Sequence, residues 1–299
     1  MKIAVASGKG GTGKTLISTC LFHVLQSSGY HATLIDCDAE GPNDMLFIKG
    51  RQIGSVEVIK TVPEFDIDKC TFCGKCREYC NYNAILMIPP AGIIRVYDEL
   101  CHDCGACIVA CNQDAITIRN VDEGIVTTYR VEALTGSYEG YPLNMVIESK
   151  TCSGTYSPVS VIKTALNTVP SDGIAILDSP PGTSCPFVHT VLFADHVILV
   201  AEPTPFGLSD LIQSVATLRE LGKHFSVIIN KAGIGNDEIY NYLKKENIKL
   251  LLEIPYSKSI ASSYSNGRIA TDYHPELYAN FIEMFNYLVN TYGNSHNQR

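Results

Sequence analysis

Clusters of lysine and arginine are what this chain most lacks. Its 299 residues carry 23 basic side chains against 31 acidic ones, a formal charge of −8, with the basic residues scattered. A dedicated nucleic-acid surface needs a basic stripe to meet phosphates, so that partner class is excluded. Also missing is any uncharged apolar run near the roughly twenty residues that cross a bilayer. The opening stretch, MKIAVASGKG, passes from a short apolar strand straight into glycines, without the long apolar core and cleavage site of a secretory leader. A globular, cytoplasmic protein is therefore expected. The eight histidines show no ligand spacing, and His102 reads as a neighbour of Cys101 rather than a ligand. Cysteine, by contrast, is plentiful: there are twelve, eight of them tightly and regularly spaced, which points to metal ligation rather than disulfides.

Between residues 1 and 60, and again from about 145 to 299, short apolar runs alternate with helix-length amphipathic segments. That is the pattern of a mostly parallel α/β sheet with helices on both faces. KIAVAS, ATLIDCD, GIAILDSPP, HVILVAEP, FSVIINKA and KLLLEIPY are rich in Ile, Val and Leu, as strands buried on both faces should be. Each ends in a polar or Gly/Pro-rich turn, where ligand sites of open sheets collect. Residues 61–120 break the alternation. There Cys70, Cys73, Cys76 and Cys80 recur as Cys101, Cys104, Cys107 and Cys111, with NYNAIL echoed by NQDAIT, an internal duplication that marks a small separate module. The expected division is thus a sheet domain in two parts, 1–60 and 121–299, around an insert at 61–120, with a hairpin-rich return over 121–145.

GKGGTGKT fits G-x-x-x-x-G-K-[ST], preceded by an apolar strand and followed by the helical pattern LISTCLFHVLQ. Gly8, Gly10, Gly11, Thr12 and Gly13 let backbone N–H groups turn toward phosphate oxygens, and the following helix N-terminus adds its dipole. Lys14 is placed to reach the β- and γ-phosphates, and the Thr15 hydroxyl to hold Mg²⁺. NKAG has Gly233 where a guanine-reading carboxylate would stand, so ATP is favoured over GTP.

Lys9 is one lysine more than a phosphate cradle needs. With it, KGGTGKT resembles the deviant Walker A loop of the MinD, Mrp/ParA and nitrogenase iron protein superfamily, P-loop NTPases of the SIMIBI class. The resemblance implies that Lys9 crosses to a partner's nucleotide and that ATP bridges a homodimer, or a heterodimer with a paralogue; an exposed lysine that merely raises the local potential remains the alternative. DCDAEGPN then resembles switch I, implying that Asp38 orients the attacking water while Asp36 serves the strand end. ILDSPPGT resembles switch II, implying that Asp178 holds Mg²⁺ through water and that the Gly182 N–H senses the γ-phosphate. A helix cap is the alternative for an aspartate ending a buried strand, disfavoured by three matching sites in sequence. By the same resemblance Asn230 contacts adenine, and Pro255 and Tyr256 line the base pocket.

C-x2-C-x2-C-x3-C, twice, resembles a bacterial two-cluster ferredoxin, a small α+β domain. The resemblance implies two [4Fe-4S] clusters, one on Cys70, Cys73, Cys76 and Cys111, the other on Cys80, Cys101, Cys104 and Cys107. Asn81 and Asn112 stand where such ferredoxins carry proline, so loop rigidity or cluster potential departs from that pattern. Structural zinc is the alternative, though zinc sites space their ligand pairs further apart. Of the other cysteines, Cys20 and Cys37 read as small core residues. Cys185 follows Asp178 at the distance of a cluster ligand in the nitrogenase iron protein, and Cys152 lies near the counterpart of that protein's other ligand. A third cluster shared across a dimer is therefore conceivable, as are ordinary buried or reactive thiols.

The terminal pattern ELYANFIEMFNYLVN has apolar residues at helical spacing but no lysines on its polar face, so it is expected to pack on the domain rather than act as a stable membrane anchor. The chain as a whole resembles MinD-type ATPases with an inserted ferredoxin domain. The leading functional expectation is an ATP-hydrolysing, slow and partner-stimulated protein in which dimer switching gates electron transfer to a redox partner. Alternatives are an Mrp-type carrier that delivers clusters to an apo iron–sulfur acceptor, and a positioning ATPase with structural or redox-sensing clusters.

Overall fold

The structure, a computed structural model, describes residues 1–131, 144–171 and 173–293. It divides into two compact units: the larger takes Met1–Val56 with the described parts of Val126–Lys150 and Pro158–Arg299, the smaller Glu57–Ile125 and Thr151–Ser157. The smaller unit therefore opens and closes a few residues outside 61–120 and also takes in a segment near Cys152.

Among the described residues eleven strands form, in chain order: β1 (Lys2–Ala6), β2 (Ala32–Asp36), β3 (Gly50–Phe65), β4 (Ile85–Ile88), β5 (Ile93–Val96), β6 (Ile116–Val131), β7 (Met145–Thr151), β8 (Ile174–Asp178), β9 (His196–Ala201), β10 (Phe225–Ala232) and β11 (Leu250–Pro255). Nine of them make one sheet in the order β11-β10-β9-β1-β8-β2-β7-β6-β3. Every neighbouring pair from β11 to β7 is parallel. The six apolar runs legible in the sequence are all among these strands.

The helices are α1 (Lys14–Ser27), α2 (Lys75–Glu78), α3 (Ala106–Ala110), α4 (Val159–Asn167), α5 (Cys185–Phe193), α6 (Pro205–Glu220), α7 (Glu238–Lys245), α8 (Lys258–Ser265), α9 (Ala270–Tyr273) and α10 (Pro275–Tyr292). Among the described residues none is long and apolar enough to cross a membrane. Side chains alternate across a strand, so the two faces of β1 can be read separately. Ile3 and Val5 join a cluster with Ile17 and Leu21 of α1 and Phe281, Phe285 and Leu288 of α10. Ala4 and Ala6 point the other way and are equally inaccessible, so the sheet is covered on both sides. The terminal helix thus packs as part of the core.

Two features were not legible beforehand. β3 and β6, sixteen residues each, carry the chain from the larger unit into the smaller and back. Their alternating polar pattern reads as a boundary rather than as sheet. The hairpin-rich reading of 121–145 falls on β6 in its first part and on residues 132–143, outside the described residues, in its second.

Phe281 is fully buried between α1 and the sheet. Phe281→Ala is expected to destabilise the larger unit by about 3–5 kcal/mol, read as a lowered urea midpoint with unchanged slope.

Candidate functional site

Because the central strands run parallel, their C-terminal ends share one edge of the sheet, and the loops after β1, β2, β8, β9, β10 and β11 gather there. The loop after β1 needs glycine at two points. A Cβ on Gly8 would sit 2.5 Å from the Asp210 carbonyl oxygen, and Gly13 has φ +98° with a Cβ position 2.3 Å from Asn230 Nδ2. Gly13 also starts α1 without any side-chain cap, so the first-turn N–H groups stay available to an anion. Thr12 is buried and its Oγ1 meets no hydrogen-bond partner, an orphan that a phosphate oxygen would satisfy.

Asp178, at the end of β8, accepts from Thr15 Oγ1 at 2.7 Å and Ser18 Oγ at 2.9 Å. Ser18 was not foreseen, although it lies three residues after Thr15 and so shares its helix face. Burial pushes Asp178 up to about 6, against the Thr15 hydroxyl, the Lys14 charge and the Ser18 hydroxyl. Lys14 is itself buried, and that burial lowers its pKa against the pull of Asp178 and Asp38. Asp38 is half-buried, raised by burial and held down chiefly by Lys14.

Asp36 accepts the backbone N–H groups of Asp38 (3.1 Å), Asn43 (2.7 Å) and Asp44 (3.0 Å), so it shapes the segment after β2. Burial first, then Asp178, pushes it up to about 8. Gly182 has φ +90° and donates its N–H to the Ser7 carbonyl at 3.1 Å, tying the segment after β8 to the glycine loop.

Asn230, on β10, donates from Nδ2 to the Thr12 carbonyl at 2.8 Å and accepts from the Lys231 N–H, so its amide braces the loop. Lys231 donates to the Gly11 carbonyl at 3.2 Å and pairs with Glu202, residues that sequence reasoning missed. Lys9 Nζ lies 3.7 Å from Glu202 and 4.0 Å from Asp210, within its own chain. Pro255 and Tyr256 are exposed beside the end of β10, where the Tyr256 N–H meets the Ala232 carbonyl.

The smaller unit is built around a core of Cys76, Ile85, Met87, Ile94 and Cys107, with β4 and β5 antiparallel. The sequence duplication is repeated in the backbone. Phe72 and Asp103, Gly74 and Gly105, and Asn83 and Asp114 are matched pairs with positive φ. Two recesses result. One, about 320 Å³ with its open mouth, is lined by Cys70, Cys73, Cys76 and Cys111. The other, about 440 Å³, is lined by Cys80, Cys101, Cys104 and Cys107, with Tyr82 stacked on His102 at its wall. Each run of four therefore contributes three cysteines to one recess and its last to the other.

Backbone N–H groups of Phe72 and Ala84 point at the sulfurs of Cys70 and Cys80, both at 3.4 Å. Among the described residues the one group of three Cys, His, Asp or Glu ligand atoms all within 4.8 Å is Asp36, Asp44 and Asp178, so no three cysteine sulfurs lie that close. Tetrahedral zinc on bonds of ~2.3 Å would draw four sulfurs to ~3.8 Å of one another. The sulfurs lining each recess are spaced more widely than a single zinc ion would hold them. Cys152 and Cys185 are exposed, lie in different units and line neither recess. Cys20 and Cys37 are fully buried.

Glycine loop, buried lysine, hydroxyl–aspartate pair and parallel sheet together define a P-loop α/β nucleotide-binding protein. Residues 3–270 match the model of the CobQ/CobB/MinD/ParA nucleotide binding domain, and the chain belongs to that family. An uncharacterized protein of Methanocaldococcus jannaschii is 30% identical over 95% of both chains. Among solved structures, the septum site-determining protein MinD of Pyrococcus horikoshii, complexed with Mg-ADP, superposes with a TM-score of 0.55 at 17% identity, over 95% of this chain and 93% of that one. A chain of the MinC:MinD cell division protein complex of Aquifex aeolicus gives 0.56 at 15%, over 97% and 96%. These two likenesses are of fold.

Asp178 and Asp36 both titrate higher in the folded chain than the usual 3.8. The folded state then binds the proton more tightly, so their contribution to stability is present at low pH and is lost as pH rises through about 6 for Asp178 and about 8 for Asp36. With chelator and no nucleotide, the urea unfolding free energy should fall over that range. Asp36→Asn should flatten its upper part.

Proposed function

We propose that this protein binds and hydrolyses ATP, that its smaller unit carries two [4Fe-4S] clusters, and that a nucleotide-dependent dimer gates electron transfer to a partner protein. The observation that carries the iron reading is the exchange of fourth cysteines: Cys111 lines the recess of the first run and Cys80 that of the second. Cysteines so arranged would supply four thiolates to each cubane, and the clusters would serve as one-electron carriers.

The nucleotide reading is supported by family membership and by the Mg-ADP that the Pyrococcus MinD holds. In this reading the N–H groups of residues 10–13 and the Lys14 ammonium hold the phosphates. Thr15 gives its hydroxyl to Mg²⁺, oriented by Asp178, and Asp38 aligns the attacking water beside Lys14. Lys9 rests on Glu202 and Asp210 in its own chain. Leaving them for the nucleotide of a second subunit would make dimer closure sensitive to the γ-phosphate, since a ligand shifts an equilibrium only by its differential affinity for the two states.

A second reading, delivery of clusters to an apo-acceptor, is favoured by the exposure of Cys152 and Cys185. There Cys185→Ser would abolish transfer of labelled iron, while replacing the eight cysteines that line the two recesses would not. A third, a positioning ATPase, draws on the MinD-like fold.

Anaerobic purification should yield about eight irons and eight sulfides per chain. Cys70→Ser and Cys111→Ser should perturb the same EPR signal of the reduced protein, and Cys80→Ser the other. Iron absent from the anaerobic protein sinks the cluster assignment; irons beyond eight point to Cys152 and Cys185. Lys14→Ala should abolish ATP binding. Equal electron transfer with ATP, with ADP and in Lys14→Ala would remove the gating.

A further inference from the structure

Asp36, Asp44 and Asp178 are all fully buried, and each offers a carboxylate oxygen within 4.8 Å of the other two. Two of them have donors. Asp36 takes three backbone N–H groups and Asp178 two hydroxyls. Asp44 has none: its side chain is 0% exposed and neither oxygen meets a hydrogen-bond partner. Asp36, Asp178, Glu148 and Asp38 all add negative charge around it. Lys14 faces Asp178 and Asp38.

A buried carboxylate left without a partner is among the more costly arrangements in a folded chain. A proton or a cation between these oxygens relieves that cost. An oxygen-only set of three carboxylates suits a hard divalent ion, Mg²⁺, Mn²⁺ or Ca²⁺, rather than zinc or iron. The position also has structural sense. Asp36 ends β2, Asp44 opens a short 3₁₀ turn eight residues on, and Asp178 ends β8. An ion shared by all three fastens both ends of the segment 37–43, which holds Asp38, to the neighbouring strand.

We propose that Asp36, Asp44 and Asp178 form a hard divalent-cation site that fills without nucleotide, with Asp44 as the ligand that sets it apart. It is distinct from the Mg²⁺ position at Thr15, with which it shares Asp178 alone. Because the site is defined in the absence of ATP, it stands or falls separately from the nucleotide and iron–sulfur readings. An ion held there orders the segment carrying Asp38 before any triphosphate arrives.

The test uses the full chain, stripped of divalent metal and free of nucleotide, titrated with Mn²⁺ and followed by EPR of the free ion. About one Mn²⁺ per chain is expected, displaceable by Mg²⁺ or Ca²⁺ but not retained by Asp44→Asn, whose affinity should drop about tenfold or more. Asp44→Glu keeps the carboxylate and should keep binding, which guards against a variant that merely misfolds. Urea midpoints provide a second readout: Mg²⁺ should raise that of the wild-type chain and leave Asp44→Asn unchanged. The site is overturned if the wild-type chain takes up no Mn²⁺, or if Asp44→Asn binds it equally. It is likewise overturned if Asp44→Asn is more stable than wild type while metal changes neither, since Asp44 then simply carries a proton.

Discussion

One buried carboxylate joins the parts of the larger unit that matter. Asp178 ends a central strand and binds, through Thr15 and Ser18, the first turn of the helix that follows the glycine loop. Its neighbours on the same edge are Asp36, which folds the segment after β2, and Lys14, which supplies a positive charge to Asp178 and Asp38. The sheet makes this possible. With β1, β2 and β8 adjacent and parallel, three chain segments far apart in sequence end side by side. In so dry a setting each charge depends on the others, which is why burial raises the acids and lowers the lysine together.

The smaller unit obeys a different constraint. Its apolar core is small and includes two of the cysteines themselves, so cysteine packing and backbone conformation are the same problem. The duplicated left-handed residues turn each cysteine run back on itself, at Gly74 and at Gly105. Domains with so little apolar core commonly draw stability from a metal or a cross-link. That two cysteine-lined recesses form at corresponding places follows from repeated sequence adopting repeated φ values. Its connection to the larger unit is through β3, β6 and the segment after β7.

Legibility in the sequence followed the strength of local signals. Buried parallel strands announce themselves as continuous Ile/Val/Leu runs, and six of the seven were visible; β7, MVIESKT, was missed because its apolar run is short and gives way to polar residues. The glycine loop was visible because close backbone approach allows few residues, as at Gly8 against Asp210. Poorly visible were β3 and β6, whose exposed, alternating residues resemble a linker, and the partners of Lys9 and Lys231, because Glu202 and Asp210 become neighbours only once α6 is laid beside the loop. Asn230 is instructive in this respect. A motif suggests a base contact, but the folded chain shows its amide engaged with the Thr12 carbonyl, a pairing that depends on β10 lying two strands from β1.

The amino-acid order by itself determined the α/β class, the phosphate loop, the strand-end acids and the twofold cysteine repeat, since each depends on residues close in sequence and on side-chain chemistry that no tertiary context alters. Only the tertiary structure decided that Ser18 joins Thr15 on Asp178, that Lys9 and Lys231 both meet Glu202, and that Asp44 sits sealed among other carboxylates without a donor. The reason is that burial and long-range proximity belong to the folded chain: a hydrogen-bond partner or its absence is defined by which distant segment closes over a side chain, and sequence spacing carries no record of that.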